Sequence, residues 1–138
     1  MYDRILVTLE ATPTDRAIVE HVKKLAKALN SSLVLLHVAT GVPAQIHGSD
    51  ATGEEIREDQ AYLNQIKAEF EAIGISATPQ LAYGDPVKEI IKWVKENPCD
   101  LVAMSTHGHH FVADLVLGTT AIRVQHDVSV PVLMLRAK

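Results

Sequence analysis

Two short turns of small residues in the last third of the chain have the composition of an anion-binding site. The first, Ser105-Thr106-His107-Gly108, follows an apolar run at residues 101–104, and the second, Gly118-Thr119-Thr120, precedes a segment of helical periodicity. Small residues let the backbone approach a ligand closely, and the first N–H groups of a helix have no partner within the helix. If brought together, the two turns would form a pocket for an anion, for which the phosphates of a nucleotide are the leading candidate.

Apolar runs that alternate with helical segments must position these turns. The runs lie at residues 5–9, 33–38, 75–83, 100–104 and 130–136. Because parallel strands need right-handed helical crossovers, this alternation predicts an α/β fold with an open parallel five-stranded sheet, order 3-2-1-4-5, and helices on both faces. Winding reverses between the first and fourth strands of such a sheet, and ligands bind there at the carboxyl ends. The loop Glu10-Ala11-Thr12 and the turn from Ser105 to Gly108 would meet at that point.

Boundary signals accompany the predicted helices. Thr12-Pro13-Thr14-Asp15 predicts the start of the first helix, with Thr12 as its cap and Asp15 as the acid that reaches back. Gly84-Asp85-Pro86 marks the break before the third helix, and the fourth is expected from about residue 119 to about residue 126. The polar connection at residues 40–53 is longer than most loops and is expected to be a lid or a disordered segment.

Composition limits the class of protein. A chain of 138 residues with 47% hydrophobic residues predicts one globular domain over residues 1–138. The net charge of -4 provides no basic field for a phosphate backbone, so we expect no nucleic-acid partner. Cys99 is the lone cysteine, which excludes an internal disulfide, and we expect it to be buried rather than reactive. No apolar run approaches the roughly 18 residues of a membrane span, so we expect a cytoplasmic protein without a membrane partner.

Histidines raise the question of a metal site. His107, His109 and His110 could bind zinc, yet no Cys or carboxylate stands nearby at a typical ligand spacing, so we expect no physiological metal. We expect these histidines instead to gain charge as the pH falls toward about 6 and to favour a bound anion. His37, inside an apolar strand, is expected to be a packed core residue. No Ser/His/Asp order, Cys/His pair or Gly-Lys-Thr loop is present, so no catalytic residues are assigned.

Four segments and a glycine motif point to a known family. The segments are Ile5-Leu6-Val7, Leu36-His37-Val38, Gly84-Asp85-Pro86 and Val130-Pro131-Val132-Leu133-Met134. With them the chain resembles the universal stress protein family over essentially its whole length. The nucleotide-binding branch of that family carries Gly, two residues, Gly, nine residues, Gly and Ser or Thr. Gly108, Gly118 and Thr119 match this motif at the right spacing, whereas Ser105 stands at its first glycine.

The resemblance implies an adenine nucleotide alpha hydrolase-like fold and a stress-response module that binds ATP, ADP or AMP, with or without Mg²⁺. It implies contacts to the nucleoside from the loop after strand one, to adenine from the backbone at the end of strand two, and to ribose and phosphates from the glycine motif. The residues at those positions are Thr8, Leu9, Glu10, Thr12, Val38, Met104, Ser105, Gly108, Gly118, Thr119 and Thr120.

Two positions depart from the family pattern and leave the affinity and the choice of nucleotide open. Glu10 stands where the family usually has aspartate, which moves the carboxylate by about one methylene. A left-handed backbone at Ser105 would weaken binding about tenfold, whereas a ligand atom in the place of the Ser105 Cβ would remove binding.

The last apolar segment, from Val130 to Arg136, is expected to form an edge of the sheet. A bare apolar edge is an aggregation liability, and pairing with the same strand of a second copy covers it. The resemblance also implies such a homodimer, and the alternative is a monomer whose edge is blunted by Pro131, Arg136 and Lys138. Three functional classes stay open: a nucleotide-binding dimer read by an unidentified protein, a family member that acts only through its dimer and surface, and an enzyme such as a slow ATPase.

Overall fold

A computed structural model describes residues 1–40, 50–106 and 114–137, with the side chains of residues 50–52 and 114–119 excepted. Gly108 and the three histidines at 107, 109 and 110 lie outside the described residues, as does most of the predicted lid. Within the described ranges no helix is long and apolar enough to cross a membrane.

Strands and helices alternate along the described chain. They are β1 (Arg4–Leu9), α1 (Asp15–Leu29), β2 (Ser32–Ala39), α2 (Asp50–Glu71), β3 (Ala77–Tyr83), α3 (Pro86–Glu96), β4 (Leu101–Thr106), α4 (Asp114–Asp127) and β5 (Val132–Arg136). The five strands form one parallel sheet in the order β3-β2-β1-β4-β5, which confirms the predicted α/β fold. β1 therefore pairs with both β2 and β4, and β5 lies at an edge.

Apolar side chains cover both faces of the sheet. Ile5 and Val7 of β1 point to the face that carries α1 and α2, where they join a cluster that includes Phe70. Leu6 points to the opposite face and joins Val124 of α4 in a second cluster. Successive side chains of a strand alternate between faces, so burial on both sides requires the continuous apolar runs seen in the sequence.

The turn between β3 and α3 forms as the sequence predicted. Gly84 adopts a φ of 130°, a backbone conformation that side chains with a Cβ rarely adopt. The carboxylate of Asp85 then accepts a 2.9 Å hydrogen bond from the backbone N–H of Lys88, and Pro86 occupies the first turn of the helix. This N-cap fixes where α3 begins and places Pro86 beside the carboxyl end of β2.

Several predicted boundaries differ from the structure. β4 continues to Thr106, so Ser105 and Thr106 belong to the strand rather than to the predicted turn. α4 begins at Asp114, so Gly118 and Thr119 lie inside the helix rather than at its start. A glycine costs a helix interior only about 1 kcal/mol, so glycine alone does not mark a helix end. α2 begins at Asp50, which makes residues 50–53 of the predicted lid helical. β5 begins at Val132, after Val130.

The predicted cap of α1 is also wrong. Thr14 occupies the N-cap position and makes no side-chain capping bond, while Thr12 lies in the preceding turn, where its carbonyl accepts a 3.0 Å bond from the N–H of Asp15. Asp15 does reach back as predicted, but to the loop before the helix, because two N–H groups there have no partner in the sheet.

Candidate functional site

A cavity of about 560 Å³ lies at the carboxyl ends of β1, β2 and β4, the point where winding of the sheet reverses. Its volume lies within the range of small-molecule sites, roughly 300 to 1,000 Å³. Eight of the predicted site residues line it, and these are Thr8, Leu9, Glu10, Thr12, Val38, Met104, Ser105 and Thr120. Gly108 is outside the described residues, and Gly118 and Thr119 are known only as backbone of α4.

The loop between β1 and α1 is held by the buried carboxylate of Asp15, whose residue is 1% exposed. Oδ1 accepts a 2.9 Å hydrogen bond from the N–H of Glu10, and Oδ2 accepts one of the same length from the N–H of Ala11. Ala11 has a φ of 62°, and successive N–H groups around such a residue form an anion-binding nest. The nest is filled by the protein's own carboxylate, so these two N–H groups do not face a ligand.

The same carboxylate joins this loop to α2. The hydroxyl of Tyr62 donates a 2.6 Å hydrogen bond to Oδ2 of Asp15, so one buried charge has partners from two elements. Burial, together with this hydrogen bond to an anion, raises the pKa of Tyr62 above its usual value. On this side of the cavity, the loop between β1 and α1 and the helix α2 are therefore held together by hydrogen bonds to the same carboxylate.

Glu10 lies at the cavity mouth with its side chain largely exposed. Its Oε2 accepts a 3.2 Å hydrogen bond from the hydroxyl of Thr14, the residue at the N-cap of α1. Carboxylate oxygens accept hydrogen bonds, so Glu10 brings an acceptor group to the cavity.

Ser105 lies inside β4, where it pairs with Leu135 of β5. The described residues other than glycine that have a positive φ are Tyr2, Ala11 and Asn30. A left-handed backbone at Ser105 is therefore excluded, so the tenfold weakening of binding expected from backbone strain does not apply. The Ser105 hydroxyl oxygen is buried and has no hydrogen-bond partner within the described part of the chain.

His37 is buried, as the sequence predicted, yet it also lines the cavity. Its Nδ1 lies 2.8 Å from the carbonyl oxygen of Leu9, and because a carbonyl only accepts, Nδ1 carries the hydrogen. The other ring nitrogen, Nε2, lies 3.5 Å from Oδ2 of Asp59 on α2. This histidine therefore connects the ends of β1 and β2 to α2.

Sequence reasoning missed the acidic residues that α2 contributes. Glu55 and Asp59 lie one helical turn apart and line the cavity together with Glu10. Their four-residue spacing places them on one helix face, but the spacing does not indicate that this face reaches the cavity. Among the described residues, no group of three or more His, Cys, Asp and Glu side chains is arranged to hold a metal ion.

The whole chain matches one protein family. The sequence profile described as the Universal stress protein family aligns with residues 1–136. The chain belongs to the universal stress protein family.

Solved universal stress proteins share its fold. Universal stress protein MJ0577 of Methanocaldococcus jannaschii is 24% identical over 157 residues, which cover 100% of this chain and 97% of that protein. The solved structure of MJ0577 superposes with a TM-score of 0.85 and is covered to 98%.

Two further solved structures are complexes with nucleotides. A universal stress protein solved in complex with cAMP has a TM-score of 0.79 at 19% identity, with 99% of each chain covered. The universal stress protein of Archaeoglobus fulgidus in complex with dAMP has a TM-score of 0.70 at 15% identity, with 96% of this chain and 97% of that one covered. At these identities the likeness shows a shared fold.

Proposed function

We propose that this universal stress protein binds an adenine nucleotide in the cavity at the ends of β1, β2 and β4 and acts as a stress-response module in the cytoplasm. The observation that carries the proposal is the convergence of eight predicted contact residues on one cavity at the reversal point of the sheet. Relatives with the same fold were solved with cAMP and with dAMP, which favours an adenine nucleotide over other anions.

The cavity has surfaces suited to both parts of a nucleoside. Val38 and Met104 present apolar surface from β2 and β4, and this surface suits a purine ring. Glu10, Thr12 and Thr120 bring polar groups to the opening, where a ribose and its phosphate would lie. ATP, ADP and AMP all contain the base and the ribose that these lining residues would contact. Mg²⁺ would accompany the more highly charged ADP and ATP.

The proposal is tested by direct binding. The purified protein is heat-denatured and the supernatant analysed for adenine nucleotide, and the refolded or stripped protein is then titrated calorimetrically with AMP and ATP. Thr40→Trp places a bulky ring at an exposed position that lines the cavity, whereas Thr78→Trp makes the same change at an exposed position of β3 away from it. We expect Thr40→Trp alone to abolish binding. Absence of released nucleotide and of binding heat would refute the proposal.

We propose further that the protein is a homodimer paired through β5. β5 is an edge strand, and Met134 on it is 38% exposed, so a second copy would cover an apolar edge. Light scattering would then give twice the mass of the chain, and Met134→Arg would give the monomer mass by placing like charges together across the twofold axis. A monomer mass for the unaltered protein would refute this pairing.

A second candidate function is a family member that acts through its dimer and surface alone. It is favoured by the Cβ of Ser105, which lies at the position of the motif's first glycine and lines the cavity. A dimer that binds no nucleotide in the titrations above would support this candidate.

A further inference from the structure

The cavity is lined by negative charge and, within the described residues, by no lysine or arginine. Its three carboxylates belong to Glu10, Glu55 and Asp59. The two internal segments outside the described residues, 41–49 and 107–113, contain no Lys or Arg in their sequence either. Phosphates in proteins are usually met by such cations or by backbone N–H groups.

The carboxylates that line the cavity come from two elements of the fold. Glu10 belongs to the loop between β1 and α1, where the hydroxyl of Thr14 holds it. Glu55 and Asp59 belong to α2, and the side chain of Asp59 is 16% exposed beside His37. Because all three carboxylates line the cavity, each added negative charge on a ligand bound there is repelled by them.

The backbone N–H groups of the β1–α1 loop are not available to offset that repulsion. The N–H groups of Glu10 and Ala11 point to the carboxylate of Asp15, at 2.9 Å each. The anion-binding nest of this loop is thus already occupied by an internal anion. The described residues that line the cavity provide apolar surface for the base. They also provide carboxylate oxygens, which accept hydrogen bonds from ribose hydroxyls.

We propose that the site selects nucleotides of low phosphate charge, namely adenosine monophosphates in open or cyclic form, over the triphosphate when no divalent cation is present. This inference rests on the proposed adenine-nucleotide function and specifies its ligand class. A triphosphate brings two more phosphate groups to an opening lined with carboxylates. A divalent cation that neutralises those phosphate groups would reduce the preference for monophosphates over the triphosphate.

Calorimetric titration of the protein with AMP and ATP in excess EDTA tests the preference directly. At low ionic strength we expect AMP to bind about tenfold more tightly than ATP. Raising the salt from about 20 mM to about 500 mM should reduce that ratio, because salt screens the repulsion of the more highly charged ligand. Added Mg²⁺ should reduce it as well. These measurements require no variant.

Two charge-removing variants locate the cause. Glu55→Gln and Asp59→Asn should each strengthen ATP binding about fivefold and should change AMP binding less. Glu54→Gln and Glu58→Gln remove the same charge from exposed neighbours on α2 that do not line the cavity, and they are expected to leave the ratio within about twofold. Glu55 is only partly buried, so its variant remains informative if Asp59→Asn unfolds.

The possible outcomes separate this inference from the proposed function. ATP that binds as tightly as AMP in EDTA, or a ratio that responds equally to the control variants, overturns the charge preference and leaves adenine-nucleotide binding intact. Absence of binding by any adenine nucleotide overturns the proposed function and this inference with it.

Discussion

The hydroxyl of Tyr62 donates a 2.6 Å hydrogen bond to Asp15, and this bond joins α2 to the loop between β1 and α1. Asp15 is almost fully buried, and a buried carboxylate is tolerated only when its lone pairs are occupied by donors. Here the donors are Tyr62 and the N–H groups of Glu10 and Ala11. The shape of the cavity mouth therefore depends on one charge that two elements share.

Removal of that carboxylate should destabilise the protein strongly. Asp15→Ala leaves two backbone N–H groups and a hydroxyl without their acceptor, so we expect a loss of about 3 kcal/mol in the free energy of unfolding. Tyr62→Phe deletes a single donor and should cost about 1 to 2 kcal/mol. Urea denaturation measures both, with Tyr83→Phe, at an exposed tyrosine, as the control. A cost for Asp15→Ala no larger than that of Tyr83→Phe would contradict this account.

The left-handed backbone of Ala11 predicts that a substitution by glycine stabilises the protein. At a φ of 62° the Cβ of alanine is strained, and glycine adopts this conformation freely. Ala11→Gly should therefore stabilise the protein by about 1 kcal/mol, as measured by urea denaturation. Ala28→Gly, at an exposed position inside α1, should destabilise it by about 1 kcal/mol. Destabilisation by both changes would show that Ala11 is not strained.

The fold was predictable because its central strands are buried on both faces. β1, β2 and β4 have 0 to 8% exposure at nearly every apolar position, and such burial demands uninterrupted apolar runs that are easy to recognise. The start of α4 was not predictable from Gly118, because residues 114–117 are as compatible with a spacer as with a helix. Boundary errors of this kind do not change the order of the strands.

The candidate site was predictable only where chain topology determines it. Residues that follow β1 and β4, such as Glu10 and Ser105, must meet at the reversal point of the sheet whatever their side chains are. Glu55 and Asp59 reach the cavity from α2, and no local pattern reports a contact between a helix and a distant loop. His37 was predicted to be a core residue, which is correct, but its position at the end of β2 also exposes it to the cavity.

Glu69 should make stability depend on acid pH. Its carboxylate accepts two hydrogen bonds from Arg16 and one from Lys23, and the bonds from Arg16 chiefly lower the pKa of Glu69 from 4.5 to about 2. A lowered pKa stabilises the folded state above the unfolded value of 4.5, and that stabilisation disappears as the pH falls to about 2.

The variant Glu69→Gln should therefore lose stability at neutral pH and not in acid. The side chain of Glu69 is 25% exposed, so water screens the pair and we expect a loss of about 1 kcal/mol near pH 7. Near pH 2 the variant and the unaltered protein should unfold at the same urea concentration. Glu71→Gln, whose partner Lys67 is 4.0 Å away at the surface, should show little change at either pH. A pH-independent difference for Glu69→Gln would contradict the ion-pair origin.

Cys99 should react slowly in the folded protein. Burial raises the pKa of its thiol, and the nearby charge of Asp100 raises that pKa further. Since the thiolate is the reactive form, iodoacetamide should modify the folded protein at least about tenfold more slowly than the urea-unfolded chain at the same pH. Equal rates for the two states would show that this thiol is accessible and ionised.

Ser105 offers a test that separates ligand binding from stability. Its hydroxyl is buried at the cavity without a partner among the described residues, so Ser105→Ala should leave the free energy of unfolding unchanged or slightly raised. If a nucleotide supplies the missing partner, the same variant should weaken adenine-nucleotide binding about fivefold, because a bound ligand then loses one hydrogen bond. Calorimetry measures the affinity, with Ser76→Ala, at an exposed serine, as the control. Ser105→Gly then distinguishes the hydroxyl from the Cβ: tighter binding by the glycine variant than by the unaltered protein would mean that Ser105 obstructs the ligand.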